Sequence, residues 1–369
     1  MPQKDYNLLV YNLSSSNDID QYKELLQKHA DSNIYYCFEH LRHFKKDTNS
    51  LRYFLLNDGQ HNLVLMPFIL RKIRINDQDT QYYDVVTQYG YSGPLLLDDK
   101  SEEVLGVFWS YVDQWYRQNN VITEFVRFSL DENHKRYTGN LLETLQNVRG
   151  NLKSDFDKQW ESFDRKVRNN YRRALKHNLR FKVFQGADIT TKAIDMFHEI
   201  YNQTMRRNKA DSQYFYNQDY FNGLLENNIN KFAIALVFLD ETAVSGELII
   251  DQNHTIYAYL GGTNSDYFHM RPNDFLRVEV VKWAINLGRT QYVLGGGIKN
   301  GDGLYKHKKA MFPYDKDVVF YTGRKVIDQQ VYAKLCYKAN QYFDEIPEDQ
   351  LKYHFFPFYR AAQLIPTQD

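Results

Sequence analysis

The residues best suited to chemistry follow a predicted strand that ends near residue 294. Gly296 and Gly297 belong to a run of three glycines there, and Lys308 belongs to a lysine cluster with aromatic neighbours a few residues later. Glycines at a strand end allow positive φ and close approach of a ligand to the backbone. A cation beside them can bind phosphate or stabilise a developing oxyanion. A solvated basic face is the alternative.

A second glycine pair precedes a predicted helix start. Residues 255–260 are predicted to form a strand that runs into Gly261 and Gly262, and Asn273 opens the next helix. Backbone N–H groups at a helix N-terminus can point at an anion. The pyrophosphate of coenzyme A, the phosphate of a sugar nucleotide or a tRNA backbone would each suit such a site. Asn273 acting only as a helix cap is the alternative.

A charged helix is predicted at residues 164–178. Its basic residues recur three and four positions apart and form one predicted stripe that includes Arg168 and Arg172, with Arg173 adjacent. The whole chain has 46 basic and 46 acidic side chains and a pI of about 7.2, which gives no case for a general nucleic-acid coat or a basic membrane binder. An anionic ligand would therefore bind a local basic patch such as this helix. The alternatives are that the stripe is solvated or that it pairs with an acidic surface.

The elements that must position these residues occur twice. Residues 232–260 give a meander of three predicted strands, followed by a helix at 273–287 and a strand at 291–294, and residues 51–128 give the same order. We therefore predict an α/β (α+β) fold of two tandem domains, residues 1–155 and 156–369. Each should be a mixed, largely antiparallel sheet flanked by helices.

Several motifs, together with their order along the chain, resemble the FemAB-like branch of the GNAT acyltransferase superfamily. They are Tyr-x-Gly-Gly at 259–262, Pro-Asn at 272–273, the glycine run, Leu-Tyr-x-x-Lys-x-x-x-x-Pro at 304–313, Arg-Arg-Ala-x-Lys at 172–176, Tyr-Gly-Tyr-Ser-Gly-Pro at 89–94 and Glu-Phe-Val-Arg-Phe at 124–128. The resemblance implies two tandem GNAT-like domains, the second of which holds the active-site cleft. It also implies that Lys308 matches a lysine that stabilises the transferring carbonyl or a substrate phosphate. Arg168, Arg172 and Arg173 fall in the family's anion-binding helix, and Tyr91 in its 89–94 motif.

The resemblance implies a transferase of cell-envelope biogenesis that acylates an amine. The donor would be a coenzyme A thioester such as acetyl-CoA, and the acceptor an amino sugar, free or nucleotide-linked, a surface polysaccharide or a cell-wall precursor, with no metal and no DNA partner. A tRNA-dependent aminoacyltransferase of the Fem type and a non-catalytic sugar-nucleotide-binding protein are the alternatives. The chain departs from the family pattern at His307, where Phe is common, and it lacks the Arg/Gln-x-x-Gly-x-Gly/Ala loop of ordinary acetyl-CoA enzymes.

Amine acylation needs a base for the amine and a proton for the leaving group. Glu247 is the candidate base, although a half-exposed strand residue is the favoured interpretation of that position. Tyr257, Tyr259 and Tyr305 are candidate proton donors among 30 tyrosines. His307 would titrate near neutral pH, unless its role is structural.

Compartment signals in the sequence are simple. Cys37 and Cys336 match no metal or redox spacing and predict two ordinary thiols. No stretch approaches the ~20 apolar residues of a membrane span. The protein is predicted to be soluble and cytoplasmic.

Overall fold

The computed structural model describes residues 5–28, 33–45, 49–98, 101–226, 228–340 and 354–364. Its contacts divide the chain into two compact units, which we call unit 1 (Met1–Thr144 with Phe320–Asp369) and unit 2 (Leu145–Val319). The predicted domains 1–155 and 156–369 stay a prediction. The units differ from them because the stretch after residue 319 groups with unit 1.

Unit 1 is built on a mixed sheet with helices packed on it. Its strands are β1 (Asn7–Asn12), β2 (Ser50–Asn57), β3 (Asn62–Ile75), β4 (Gln78–Val86), β5 (Leu95–Leu96), β6 (Val121–Arg127) and most of β13 (Val318–Val326), and its helices are α1 (Ser16–Gln27), α2 (Phe38–His43), α3 (Glu102–Gln118) and α10 (Gln329–Lys338). The strands pair in the order β1-β2-β3-β4-β6-β13, with β5 on β3. All these pairs are antiparallel except β4 with β6.

Helix α3 connects the parallel strands of unit 1 and covers their sheet. Its buried residues recur at helical spacing, among them Val104, Phe108 and Val112. They form one cluster with strand residues such as Phe54 and Phe68. The predicted order of meander, helix and strand is therefore confirmed in this unit.

Unit 2 repeats this plan. Its strands are most of β7 (Asn140–Asn151), β8 (Arg180–Gln185), β9 (Phe232–Leu239), β10 (Thr242–Gln252), β11 (Thr255–Thr263) and β12 (Gln291–Gly295), and its helices are α4 (Phe156–Ser162), α5 (Arg165–Ala174), α6 (Thr191–Arg207), α7 (Gln218–Glu226), α8 (Pro272–Asn286) and α9 (Gly303–Lys309). The strands pair in the order β7-β12-β11-β10-β9-β8. Only β11 with β12 is parallel among these pairs, and α8 connects the two strands.

Both faces of the unit 2 sheet are covered. Gly246 faces α6, since a Cβ there would lie 3.3 Å from the Phe197 ring. The next residue, Glu247, points to the opposite face, where it contacts Arg277 of α8. This explains why β9 and β10 are buried almost throughout instead of alternating.

The ends of α8 show why the sequence folds this way locally. Pro272 occupies the first helical position, where its missing N–H is not needed. Gly288 ends the helix with φ +69°, and its N–H and that of Arg289 reach back to carbonyls of the last turn. Asn273 is the second helical residue, so the prediction that it caps or begins the helix is corrected by one to two residues: Arg271 is the N-cap.

The mixed α/β fold, in which each unit has a largely antiparallel sheet flanked by helices, is thus as predicted. Cys37 and Cys336 are buried free thiols. Within the described ranges, no helix is both long and apolar enough to span a membrane. The same ranges contain no cluster of three or more side chains that could hold a metal ion.

Candidate active site

Lys308 lies on the short helix α9 and reaches back to the glycine run. Its Nζ donates a hydrogen bond of 2.6 Å to the Gly296 carbonyl, so the structure brings these two predicted residues together. Burial and, to a smaller extent, the Arg277 cation lower the pKa of Lys308 to about 8, against the opposing effects of Glu247 and Asp302. At neutral pH the side chain is therefore a half-buried ammonium that can still release its proton within a physiological range.

The glycine run forms a loop organised by Asp302. The Asp302 carboxylate accepts the backbone N–H groups of Ile298, Lys299 and Tyr305 at 2.7, 3.0 and 2.7 Å. A Cβ on Gly297 would lie 2.2 Å from Asp302 Oδ1, which is why this position is glycine. Within the run, positive φ occurs at Gly295 and not at Gly296 or Gly297.

Glu247 is not the half-exposed strand residue that the sequence favoured. It is 1% exposed, and its Oε2 lies 2.5 Å from Nη1 of Arg277. Tyr292 of β12 donates its hydroxyl proton to Glu247 Oε1 and accepts a 2.7 Å hydrogen bond from Arg277 Nη1. Burial raises the pKa of Glu247, while Arg277, the Tyr292 hydrogen bond and Lys308 oppose that rise. Both carboxylate oxygens are engaged, which leaves this group poorly placed to take a proton from a substrate.

Arg277 and Tyr292 were missed by the sequence reasoning. A signal was available, because Arg277 lies among Phe275, Leu276 and Val278 on a helix whose residues are mostly apolar. A charged residue in such a run needs a buried partner. Its Nε is buried without a hydrogen-bond partner among the described residues.

His307 and Tyr305 have defined partners. His307 Nε2 lies 3.3 Å from Asn273 Nδ2, and burial lowers the pKa of His307 against the opposing effect of Asp274. Tyr305 donates its hydroxyl proton to Asp317, and this hydrogen bond is the main reason why its pKa rises to about 12. His307 and Asn273, both selected from the sequence, are therefore in contact, and the Tyr305 hydroxyl is already hydrogen-bonded to Asp317.

Strands β11 and β12 stop pairing shortly before Gly296, whose carbonyl binds Lys308. Their parallel register covers Thr255↔Gln291 to Tyr257↔Val293 and then ends, while β11 continues to Thr263. Just beyond the last pair, Tyr259 is the extra residue of a β-bulge, because Ala258 pairs with Ile249 and Leu260 with Leu248. Bulges of this kind redirect strands beside active sites. Tyr257 and Tyr259 therefore flank the point where the two strands divide.

Gly261 and Gly262 have different surroundings. Gly261 pairs with Glu247 across β10, and a Cβ there would meet nothing nearer than 3.4 Å. A Cβ on Gly262 would lie 2.7 Å from the Ile200 carbonyl oxygen of α6. Gly262 is thus explained by close helix packing, whereas no close contact requires a glycine at Gly261.

A basic groove of about 490 Å³ lies where α5 meets the N-terminus of α8. The two helices are joined there by the buried hydrogen bond of 3.1 Å from Asn170 to Asp274. The lining residues are Asp164, Arg165, Lys166, Asn169, Asn170, Arg173 and Arg271. Cations outnumber the single carboxylate, which caps α5 through the Lys166 N–H. The groove is therefore suited to a phosphate-bearing ligand.

The arginines of the predicted stripe and its neighbour Arg173 do not all line this groove. Arg173 lines the groove, whereas Arg168 and Arg172 are not among its lining residues. Arg172 lies over the Trp160 ring at 5.4 Å and donates to Asn169. Arg271, which the sequence reasoning did not select, lines the groove with φ +59°. Tyr91 belongs to unit 1, where it makes edge contacts with Tyr35 and Phe320.

Residues 161–309 match the family model described as "Acetyltransferase (GNAT) domain", and this segment contains Lys308, Glu247, Arg277 and the groove residues. No protein of curated function matches the chain in sequence.

Solved structures extend the likeness over most of the chain. FemX is similar with a TM-score of 0.62 and 13% identity, over 88% of this chain and 99% of that one. The C-terminal domain of a putative lysylphosphatidylglycerol synthetase from Agrobacterium fabrum has a TM-score of 0.54 and 11% identity, over 88% and 96%. A tandem GNAT protein from the clavulanic acid biosynthesis pathway has a TM-score of 0.50 and 9% identity, over 87% and 99%. At such identities the likeness is one of fold, and with the family match it confirms the predicted resemblance to the FemAB-like GNAT branch.

Proposed function

We propose that this protein is a cytoplasmic N-acyltransferase that moves an acyl group from a coenzyme A thioester to the amine of an amino sugar or a cell-wall precursor. The observation that carries the proposal is Lys308, a half-buried ammonium held at the Gly296 carbonyl beside the point where β11 and β12 separate. A cation in such a position can stabilise negative charge on a carbonyl oxygen during acyl transfer. The buried free cysteines fit a reducing compartment.

The donor is held in two places. Its phosphates bind in the basic groove through Arg165, Lys166, Arg173 and Arg271. Its extended arm lies along the split between the strands, which leads toward Lys308. The acceptor amine then approaches the carbonyl from the open side of the cleft.

The reaction forms a C–N bond and breaks the C–S bond of the thioester. As the amine attacks, charge develops on the carbonyl oxygen, and the Lys308 ammonium stabilises it. The departing thiolate takes up a proton. Lys308, with a pKa of about 8, is well matched to a thiol of pKa about 8.5, and it recovers its proton from the acylated amine.

A tRNA-borne aminoacyl donor is the second candidate. The likeness of fold to FemX supports it, and so do the exposed cations of α5, which could meet a nucleic-acid backbone. A non-catalytic sugar-nucleotide-binding protein is the third. Thermal-shift measurements separate the three: stabilisation by coenzyme A favours the first, by charged tRNA the second, and by UDP-sugars alone the third.

The test of catalysis uses thiol release from acetyl-CoA and longer acyl-CoA donors with a panel of amino sugars. We expect turnover in the wild type and a loss of about 10²–10³ in kcat for Lys308→Met. Lys306→Met is the matched control, because Lys306 is an exposed lysine on the same helix and should leave kcat unchanged. Turnover of Lys308→Met within a few-fold of wild type would refute the role of Lys308.

The test of the groove measures coenzyme A binding by calorimetry. Charge-assisted hydrogen bonds contribute about 1.5–3 kcal/mol each, so Arg173→Gln combined with Arg271→Gln should raise Kd at least tenfold. Lys192→Gln, an exposed lysine on α6, is the control. Equal Kd values in the double variant and the control would place the donor phosphates elsewhere.

A further inference from the structure

We infer that the surface at the two ends of α9 docks onto a lipid bilayer that carries anionic headgroups. All the residues of this docking surface belong to unit 2. They are Ile298, Lys299 and Leu304 at the N-terminal end of α9, and Tyr314 and Lys316 beyond its C-terminal end. The inference does not depend on which reaction the protein performs.

The apolar side chains of the docking surface project into solvent. Ile298 and Tyr314 are 82% and 86% exposed, the two highest values among the large apolar residues of the described ranges. Leu304 is 46% exposed. Single exposed apolar residues are ordinary on a protein surface, but several of them close together mark an interaction site. The partner must therefore offer an apolar phase to these side chains.

The loop before α9 holds the first three residues of the docking surface together. The backbone N–H groups of Ile298, Lys299 and Tyr305 all donate to the carboxylate of Asp302, at 2.7, 3.0 and 2.7 Å. Leu304 immediately precedes Tyr305 in the first turn of the helix. An exposed isoleucine, an exposed leucine and an exposed lysine are thus fixed around one capping group.

The turn after α9 is attached to the same helix. Lys309 Nζ donates to the Asp315 carbonyl and forms an ion pair of 2.9 Å with Asp317, so residues 315–317 lie against the end of α9. Tyr314 directly precedes this segment and the exposed Lys316 lies within it. Because α9 has seven residues, its two ends are only about 10 Å apart. Both ends are therefore near enough to meet one surface.

The exposed charge of this stretch is entirely positive. Between residues 296 and 317 every exposed charged residue is a lysine. The three acidic residues of the stretch are only partly exposed, and each already binds a donor: Asp302 binds N–H groups of its loop, Asp315 the Asn151 N–H at 2.7 Å, and Asp317 the Lys309 ammonium. No exposed carboxylate would therefore repel an anionic surface.

Projecting apolar side chains among lysines match the chemistry of an anionic bilayer. The apolar side chains enter the boundary between headgroups and acyl chains to a depth of about 5–10 Å. The lysines remain at the level of the lipid phosphates, which attract them. A protein partner would need a pocket shaped for each projecting side chain, whereas a bilayer accepts them without such complementarity.

The first experiment measures sedimentation of the whole protein with lipid vesicles. The wild type should bind vesicles of equimolar phosphatidylcholine and phosphatidylglycerol, and bind vesicles of phosphatidylcholine alone much more weakly. Ile298→Ser combined with Leu304→Ser should raise the lipid concentration for half-maximal binding at least about tenfold, because two apolar side chains no longer leave water. Lys299→Gln combined with Lys316→Gln should raise it about tenfold on the anionic vesicles.

The matched control for the apolar pair is Leu287→Ser. Leu287 is 37% exposed and lies at the C-terminal end of α8, roughly 20 Å along that helix from the contact of Asn273 with His307 of α9. It should leave vesicle binding unchanged. All the substituted side chains are exposed, so the variants should keep the wild-type fold.

The second experiment measures insertion directly. Cys37 and Cys336 are buried, so a thiol-reactive, environment-sensitive fluorophore will attach to a cysteine introduced on the surface. On anionic vesicles, labelled Ile298→Cys should show a blue-shifted and stronger emission, since the probe enters the acyl boundary. Labelled Leu287→Cys should show neither change.

Two results would overturn the inference. One is a wild type that stays in the supernatant with anionic vesicles. The other is binding that survives in both double variants and is lost in Arg168→Gln combined with Arg172→Gln, which would assign it to the basic helix α5. Vesicle binding is measured without substrate, so its failure leaves the proposed role of Lys308 untouched, and failure of acyl transfer leaves the docking surface untouched.

Discussion

Replacing Lys308 with methionine should stabilise the protein while it lowers kcat by about 10²–10³. The pKa of Lys308 falls from an ordinary 10.5 to about 8, chiefly through burial. At about 1.4 kcal/mol per pH unit, keeping the ammonium in this site at pH 7 costs about 3 kcal/mol. The lost hydrogen bond to Gly296 offsets about 1 kcal/mol of the gain. The expected net stabilisation is therefore about 2 kcal/mol, or about 4 to 8 °C in Tm for a unit of this size.

The pH dependence of this effect has a definite sign. Between pH 8 and 10.5 the unfolded chain binds a proton at Lys308 that the folded chain has released. Wild-type stability therefore rises through this range, whereas the methionine variant lacks the contribution. The advantage of Lys308→Met should be full below pH 8 and should disappear toward pH 10.5.

The assay is chemical denaturation of both proteins at pH 7, 8, 9 and 10, with Lys306→Met as the control for loss of an exposed lysine. The difference in unfolding free energy between variant and wild type cancels the titration of all other groups. A variant that is less stable than wild type at pH 7, or a difference that does not change with pH, would contradict the assignment of Lys308 as a strained buried cation.

Two further predictions test the surroundings of the site. Gly262→Val should destabilise the protein by about 3 kcal/mol, because its Cβ would lie 2.7 Å from the Ile200 carbonyl oxygen; denaturation should show no such loss for Gly303→Ala, whose Cβ meets nothing within 4 Å. Tyr305→Phe should keep kcat within a few-fold, because its hydroxyl is bound to Asp317 and its pKa of about 12 makes it a poor acid at neutral pH; a hundredfold loss would restore it as a proton donor.

The elements of this fold were predictable where the signal is local. The apolar run that begins β9 and the helical spacing of α8 depend only on neighbours in sequence. The predicted start at residue 232 and the predicted helix 273–287 lie within one residue of the observed β9 start and of α8. The glycine run and Lys308 were also selected as candidate site residues, because the residue types and their short spacing can be read from the sequence. The contacts between side chains of one short motif can therefore be predicted from the sequence.

Contacts between distant segments were not predictable in this way. The burial of Glu247 depends on α8 covering a face of β10, and its partner Arg277 lies 30 positions later. The choice among the arginines of α5 depends on how this helix is rotated against the start of α8. Spacing alone placed Arg168 and Arg172 on one stripe with the others, whereas the helix directs Arg173 into the groove and Arg172 onto Trp160.

The order of the two units along the chain has a consequence for biosynthesis. Unit 2 is continuous, while unit 1 needs β13, whose Thr322 pairs with Arg127 of β6. A ribosome adding roughly 5–20 residues per second makes the intervening Leu145–Val319 in about 10 to 35 s. During that interval the nascent first unit waits with one side of β6 uncovered, which is a surface open to wrong strand pairing. Unit 2 is begun later but has all its strands first, so the unit that carries Lys308 can be completed before the unit that precedes it.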